Sequence, residues 1–306
     1  MKRKILKIIL YIAGFFCIIY PIYSKFLSYK NQTESIYDYK KELATMQEQE
    51  LAEKIKKTEE FNKNNSTETV VVDPNNIEEK KAESAYNFLE LGEMMGYITI
   101  PKINLEIPIY EGITVNNLTK GVAHMENTSL PNGGMNTHSV LAGHTGITEA
   151  EIFDNLDKLE IGDEFYITFY GATSKYVVTH TSIVLPDQTN EIRVESGKCL
   201  ITLVTCTPKT VNTHRLLVKG EKVFKTITPD EKENITGETS ADEVIEELQQ
   251  TEKSDFEIFI EFTKKNLHLF IVLIFIVILL IIANLFGYIK KKIKKRGAKK
   301  VEENNK

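Results

Sequence analysis

Lys198-Cys199-Leu200-Ile201-Thr202-Leu203-Val204-Thr205-Cys206-Thr207-Pro208 and, after a short loop, Thr213-His214-Arg215-Leu216-Leu217-Val218 read as two β-strands. Both runs are rich in β-branched and apolar residues, and the Pro/Asn-containing segment between them is a turn signal. In an antiparallel hairpin the end of one strand lies beside the start of the next, so Cys206 and Arg215 are expected to face each other at the loop mouth. Arginine carries a permanent charge and a fork of donors that stabilises a neighbouring anion and can hold a substrate carbonyl or its oxyanion. A thiol beside it points to acyl transfer. The plainer alternative, a small buried cysteine and a surface arginine, stays open at this level.

The rest of the chain sets the compartment. Of its 306 residues, 42% are hydrophobic, which is enough for one sizeable core, but the apolar content is uneven. Ile8 to Tyr23 is an uncharged apolar run behind Lys2, Arg3, Lys4 and Lys7, with no small-residue cleavage pattern after it, and reads as a retained signal anchor. Leu267 to Ile289 is a second apolar run, whose 23 residues are enough to span a bilayer, and Lys290, Lys291, Lys292, Lys294, Lys295 and Arg296 follow it. Basic flanks place both termini in the cytoplasm and the middle outside. The net charge is −5, with +4 on residues 1–7 and +7 on residues 290–306, so the stretch between carries −16. Such an acidic ectodomain is a poor nucleic-acid binder.

Only Cys199 and Cys206 lie outside the apolar runs. Seven strand residues separate them by roughly 23 Å, too far for a disulfide, and their odd spacing turns them to opposite faces of the strand. A thiol left unpaired in an oxidising compartment invites a catalytic explanation, against that of a buried structural residue.

From the N-terminus, Glu34 to Asn65 places Ile36, Tyr39, Leu43 and Met46 at helical spacing. This is either a stalk or a helix packed on the main domain. Val70-Val71-Val72-Asp73-Pro74-Asn75-Asn76 is a short extended run ending in a turn, and Ile77 to Leu91 resumes helical spacing. Beyond Gly96, short strand signals follow at 97–100, 105–109, 138–142, 164–168, 176–178 and 183–185, which with the hairpin make about eight strands in some 125 residues. That density fits a closed barrel or a sandwich. Glu151 to Leu159 reads as a short helix. The expected organisation is an anchor at 1–24, a helical stalk and lid segment at 25–92, a β-domain at 93–225, an acidic linker at 226–266, a second membrane helix at 267–289 and a basic tail at 290–306.

His144 ends Thr137-His138-Ser139-Val140-Leu141-Ala142-Gly143-His144-Thr145-Gly146 in a glycine-flanked turn where backbone can approach a ligand, and is the candidate base. His124, His138, His180 and His214 compete, and periodicity does not choose among them. No zinc-ligand spacing appears, so no metal is expected.

Four motifs, Gly96-Tyr97-Ile98-Thr99-Ile100-Pro101, Asn136 to His144, Thr202 to Pro208 and Val211 to Val218, resemble in order those of sortases, and more narrowly the class C, pilin-polymerising group. The resemblance covers roughly residues 70–225. It implies a mainly β fold, the eight-stranded sortase barrel with short helices, on the outer face of a Gram-positive membrane between two flanking membrane helices. It also implies that Cys206, His144 and Arg215 are catalytic. The Cys206 thiolate would attack the carbonyl after Thr in a Leu-Pro-x-Thr-Gly-like sorting signal. Protonated His144 would feed the leaving amine, and a second amine, for this class a pilin lysine, would resolve the thioacyl enzyme. No cofactor is needed, because the thioester carries the peptide-bond energy. The partners implied are proteins bearing the sorting signal, an amine acceptor and the membrane. Thr205 is a candidate substrate contact or an ordinary strand threonine.

Class C members also resemble one another in an Asp-Pro-aromatic lid. Here Asp73 and Pro74 match, with Asp73 able to pair with Arg215, but Asn75 replaces the aromatic, which predicts a more open lid. Other readings are a housekeeping sortase anchoring proteins to cell-wall peptide, a cysteine protease using water, or a non-catalytic membrane scaffold. The Ser-x-Gly-Cys signature of cysteine cross-linking transpeptidases is missing around Cys206.

Overall fold

Alternation of side chains along β7 (Cys199–Thr207) sorts the chain into an inside and an outside: Cys199, Ile201 and Leu203 enter the main core, whereas Val204 joins a separate apolar cluster with Val140, Val184 and Leu217. The structure, a computed structural model, describes residues 2–64, 86, 88–89, 92–147, 150–186, 188, 190–209, 211–224 and 253–280, with 282, 286, 287 and 289. The other strands are β1 (Met94–Ile100), β2 (Leu105–Glu111), β3 (Val122–His124), β4 (Thr137–Ala142), β5 (Glu164–Phe169), β6 (Ala172–Val184) and β8 (His214–Lys222). They close a barrel in the order β1-β2-β3-β4-β7-β8-β6-β5, and the β2–β3 and β4–β7 pairs are parallel. Closure leaves no unpaired sheet edge.

The barrel is a packed core. Ile98, Ile100, Ile107, Ile109, Leu141, Phe165, Ile167 and Val218 fill it, and Phe165 stacks on Tyr176 at 5.4 Å. Each such side chain contributes about 2 kcal/mol by leaving water.

Two strands differ from expectation. The signals at 176–178 and 183–185 belong to the single strand β6, whose register shifts between Val178 and His180 and whose central Thr179, His180 and Thr181 are exposed. The bulge interrupts the alternation that marks a strand in sequence. Conversely β3 has only three residues, too few for any period to show. The helix expected at 151–159 is reduced to one 3₁₀ turn, Leu156–Lys158.

Helix α1 (Lys2–Thr45) is continuous from the N-terminal apolar run into the charged segment, and α2 (Glu48–Asn64) follows a break at Met46–Gln47. Both dock on the barrel. Tyr39 Oη donates to the Met95 carbonyl at 2.7 Å and accepts the Tyr170 N–H at 2.9 Å. Asn62 Nδ2 donates to the Leu130 carbonyl at 2.9 Å, while Asn62 Oδ1 accepts the Leu130 N–H at 2.7 Å. Buried bonds of this kind fix a helix on a sheet, so the segment is packed on the main domain and is not a mere spacer. The remaining helix of the barrel unit, α3 (Val115–Lys120), is capped by Thr114 Oγ1, which accepts the Asn117 N–H.

Residues 254–306 form a second compact unit. Within the stretch read as linker, α4 (Asp255–Lys265) begins with a capping box: Ser254 Oγ accepts the Glu257 N–H and Glu257 returns the bond to the Ser254 N–H. Among the described residues no single helix is long and apolar enough to cross a membrane, although Asp255–Lys265 and Leu267–Leu280, bent by 83°, satisfy length and composition together. The expected span at 267–289 runs partly onto positions outside the described residues, as do the lid triplet Asp73, Pro74 and Asn75 and the basic tail.

Candidate active site

Strands β7 and β8 pair so that Cys206 is the direct partner of Arg215, one step before the terminal pair Thr207 and His214. Directly opposed residues share a face with Cβ atoms about 5 Å apart. That face is the outer one: Arg215 is also level with Val184 on β6, a member of the external apolar cluster. Both residues are sunk into it, Cys206 being 7% and Arg215 5% exposed. The Arg215 Nη1 donates to the Asn212 and His214 carbonyls, each at 3.0 Å, which turns the guanidinium back over the loop between the strands. A cation held beside a sulfur at an apolar surface acts in a medium of low dielectric, where its effect on developing negative charge is largest.

His144 lies two residues beyond the end of β4. The parallel register pairs Ala142 with Val204, and the Gly143 N–H donates to the Val204 carbonyl at 3.0 Å. β4 ends at Ala142; continued for two residues, that register would set His144 level with Cys206, on the side of the sheet shared by Val140 and Ala142. The histidine is clamped from both directions. On one side Thr205 Oγ1 donates to the Gly143 carbonyl at 2.7 Å; on the other the Phe153 N–H donates to the His144 carbonyl at 3.0 Å. Thr205 is thus committed to backbone and 4% exposed, and its hydroxyl holds the turn that carries His144. Burial lowers the His144 pKa below its ordinary value, which favours neutral imidazole at pH 7.

Gly143 lets this turn pack. A Cβ there would stand 2.6 Å from Phe153 Cδ2 and 2.9 Å from Ile152 Cγ2. Gly143→Ala should therefore push apart the strand end and the Ile152–Phe153 segment, costing about 1–3 kcal/mol of stability and lowering turnover by roughly 10- to 100-fold through a displaced His144. Thermal melts together with kcat on a sorting-signal peptide check it; unchanged kcat would show that the turn does not position the imidazole.

The competing histidines have other tasks. His124 Nε2 donates to the Ser129 carbonyl at 2.9 Å, leaving Nδ1 to accept from Tyr86 Oη at 3.2 Å. His138 Nδ1 donates to the Arg193 carbonyl at 2.7 Å, leaving Nε2 to accept from Thr202 Oγ1, also at 2.7 Å. Both are buried and fully bonded as neutral rings. His180 is exposed beside Glu191. His214 lies half-buried at the start of β8, its Nδ1 bonded to Thr213 Oγ1 at 2.9 Å. Among the described residues no group of three His, Cys, Asp or Glu side chains converges as metal ligands do. Sequence reading missed Gly143 as a packing position and the Ile152–Asp154 segment behind it; the glycine between a strand and a histidine was the available signal.

Comparison with known proteins agrees with this architecture. The family model described as "Sortase domain" matches residues 98–223. The sortase A of Bacillus anthracis is 29% identical over 221 residues, covering 72% of this chain and 94% of that protein. Among solved structures, sortase C1 of GBS Pilus Island 1 is 36% identical with a TM-score of 0.58, covering 65% of this chain and 95% of the other. Clostridium perfringens sortase C, solved with the C-terminal cell wall sorting motif, is 36% identical with a TM-score of 0.56, covering 63% of this chain and all 100% of the other. The closed eight-stranded barrel and these similarities, at 36% identity over nearly the full length of class C structures, show that the chain belongs to the sortase family, cysteine transpeptidases, in its class C group.

Proposed function

We propose that the chain cleaves a Leu-Pro-x-Thr-Gly-like sorting signal through a thioacyl intermediate on Cys206 and transfers the acyl group to an amine, a pilin lysine, in pilus assembly. The observation that carries this reading is the pairing of Cys206 with Arg215 on the outer barrel face; the β4–β7 register, if continued past Ala142, supports His144 as their partner. The Clostridium perfringens sortase C solved with the C-terminal cell wall sorting motif and the pilus-island origin of the GBS relative support the choice of substrate.

Because burial disfavours imidazolium, His144 begins as the base. It takes the proton from the Cys206 thiol as Sγ attacks the carbonyl carbon of the signal's threonine. The Arg215 fork stabilises the oxyanion. The bond to glycine then breaks, and His144 passes the same proton to the departing amine. The proton that feeds the leaving group is thus borrowed from the thiol, and no standing imidazolium is required. In the second half the acceptor amine attacks the thioester, His144 removes its extra proton, the C–S bond breaks, and that proton returns to the sulfur. Amide replaces thioester with atoms balanced.

The membrane setting is part of the same proposal: the apolar runs at 8–23 and 267–289 hold the barrel at the outer surface of the membrane. Mixing the purified chain with a sorting-signal peptide and candidate amines, then reading the products by mass spectrometry, tests the reaction. An enzyme–peptide adduct lighter by the glycine-containing fragment, and an amide to lysine, are expected. Product formed only with cell-wall peptide amines would favour the anchoring role instead, and the absence of any adduct would refute the acyl-transfer reading.

A further inference from the structure

The backbone bond to His144 is one of two that close the loop behind it. The second is made by a side chain: the Gly146 N–H donates to Asp154 Oδ1 at 3.0 Å. Gly146 has φ of 75°, the left-handed region that glycine enters freely, so its amide points at the carboxylate only while the turn keeps that conformation. Asp154 follows Ile152 and Phe153, the two side chains packed under Gly143. Asp154 Oδ2 is buried and meets no hydrogen-bond partner among the described residues. Leaving a carboxylate oxygen in that state costs free energy that a fully solvated residue would not incur, and folds keep such groups where placement matters.

The surroundings show how the arm is held. Glu151 Oε1 accepts from Lys25 Nζ of α1 at 2.5 Å, with the side chains 25% (Lys25) and 33% (Glu151) exposed, so the outer end of the arm is tied to the helix. Among the described residues, Glu151, Lys209 and Lys25 are the charged groups within electrostatic reach of Asp154, and burial raises its pKa. Lys209 belongs to the loop that follows Cys206.

We propose that Asp154 is a positioning residue for His144: by accepting the Gly146 amide it locks the turn that sets the imidazole against Cys206, while the Phe153 amide holds the His144 carbonyl. It touches neither substrate nor sulfur. The inference rests on the reading of His144 as the proton carrier, and one variant separates the two.

The test uses the full chain in membranes or detergent, with a fluorogenic sorting-signal peptide. Asp154→Ala should lower kcat about tenfold with KM within about twofold, the scale of a catalytic group slightly misplaced. Asp154→Asn, which keeps an acceptor oxygen for Gly146, should return kcat to within about threefold of the parent. If Asp154→Ala leaves kcat unchanged, if the loss falls on KM, or if Asn is no better than Ala, the proposal is overturned. Should the alanine variant not fold, the asparagine result decides: a kcat more than about tenfold low overturns the proposal. His144→Ala is run beside them. Full activity there would overturn the reading of His144 and this proposal together, whereas an inactive His144→Ala with an indifferent Asp154→Ala overturns this proposal alone.

Discussion

Cys206→Ala is expected to abolish both the thioacyl adduct and transpeptidation, a loss on the order of 10⁴-fold or more, while the barrel remains folded. The size follows from chemistry: without the thiol no thioester can form on residue 206, and Arg215 and His144 supply no nucleophile as strong. The stability cost is small, since the sulfur occupies one position of an outer-face strand end; removing it should cost about 1 kcal/mol. Cys199 supplies the contrast. It sits on the same strand but faces the barrel interior, with Tyr176 Oη 3.7 Å and Thr137 Oγ1 3.6 Å from its sulfur. Cys199→Ala should lower the melting temperature by several degrees and leave kcat of the folded protein unchanged. Intact-mass measurement of adducts alongside calorimetry of both variants reads this out. A Cys206→Ala protein that still acquires the acyl mass, or a Cys199→Ala protein that loses turnover while folded, would reverse the assignment of the two thiols.

That contrast was already written in the chain. Seven residues between two cysteines on a strand must turn them to opposite faces, and the β7–β8 register bears this out by grouping Cys199 with the core and Cys206 with Arg215. The hairpin itself was legible because its β-branched runs are long and uninterrupted. Less could be read where the fold departs from period. The three residues of β3 carry no pattern, and the bulged middle of β6 exposes Thr179, His180 and Thr181 in succession, so one strand looked like two. The face of Ile36 and Tyr39 was visible, but sequence could not say that it was buried against the barrel; the Tyr39 bonds to Met95 and Tyr170 span a separation along the chain that local spacing does not report. Among the five histidines outside the apolar runs, sequence offered turn context for His144 and nothing decisive against the rest. What sets His124 and His138 aside is satisfaction of both ring nitrogens by other groups, such as Arg193 and Thr202 around His138. Such partners are tertiary facts.

The same two buried histidines set a strong acid dependence of stability. Burial holds His124 and His138 each at about 4 in the folded protein, against an ordinary value of 6.5. Between those values the unfolded chain binds protons that the native one refuses, so unfolding takes up protons and stability falls as the pH drops. The contribution is fully present above 6.5 and is lost as pH falls towards 4, on the order of 3 kcal/mol for each ring. Two such losses approach the whole stability of an ordinary domain. His144, lowered by burial, adds in the same direction, and Asp154, raised by burial, opposes it. The carboxylates lowered by lysine partners, such as Asp163 and Glu195, titrate at more acid pH than the window between 5 and 6.5. Urea unfolding at a series of pH values in that window should give a slope of about two protons taken up per molecule unfolded. Replacing His138 by glutamine, which preserves a donor and an acceptor, should remove about one of them. A flat stability curve from pH 6.5 to 5 would mean that the rings are protonated inside the fold, with the Tyr86 and Thr202 hydroxyls turned from donors into acceptors. The acid limit of the fold thus comes from buried rings on the paired strands β3 and β4, while the continuation of β4 carries the half-buried His144, the proposed proton carrier.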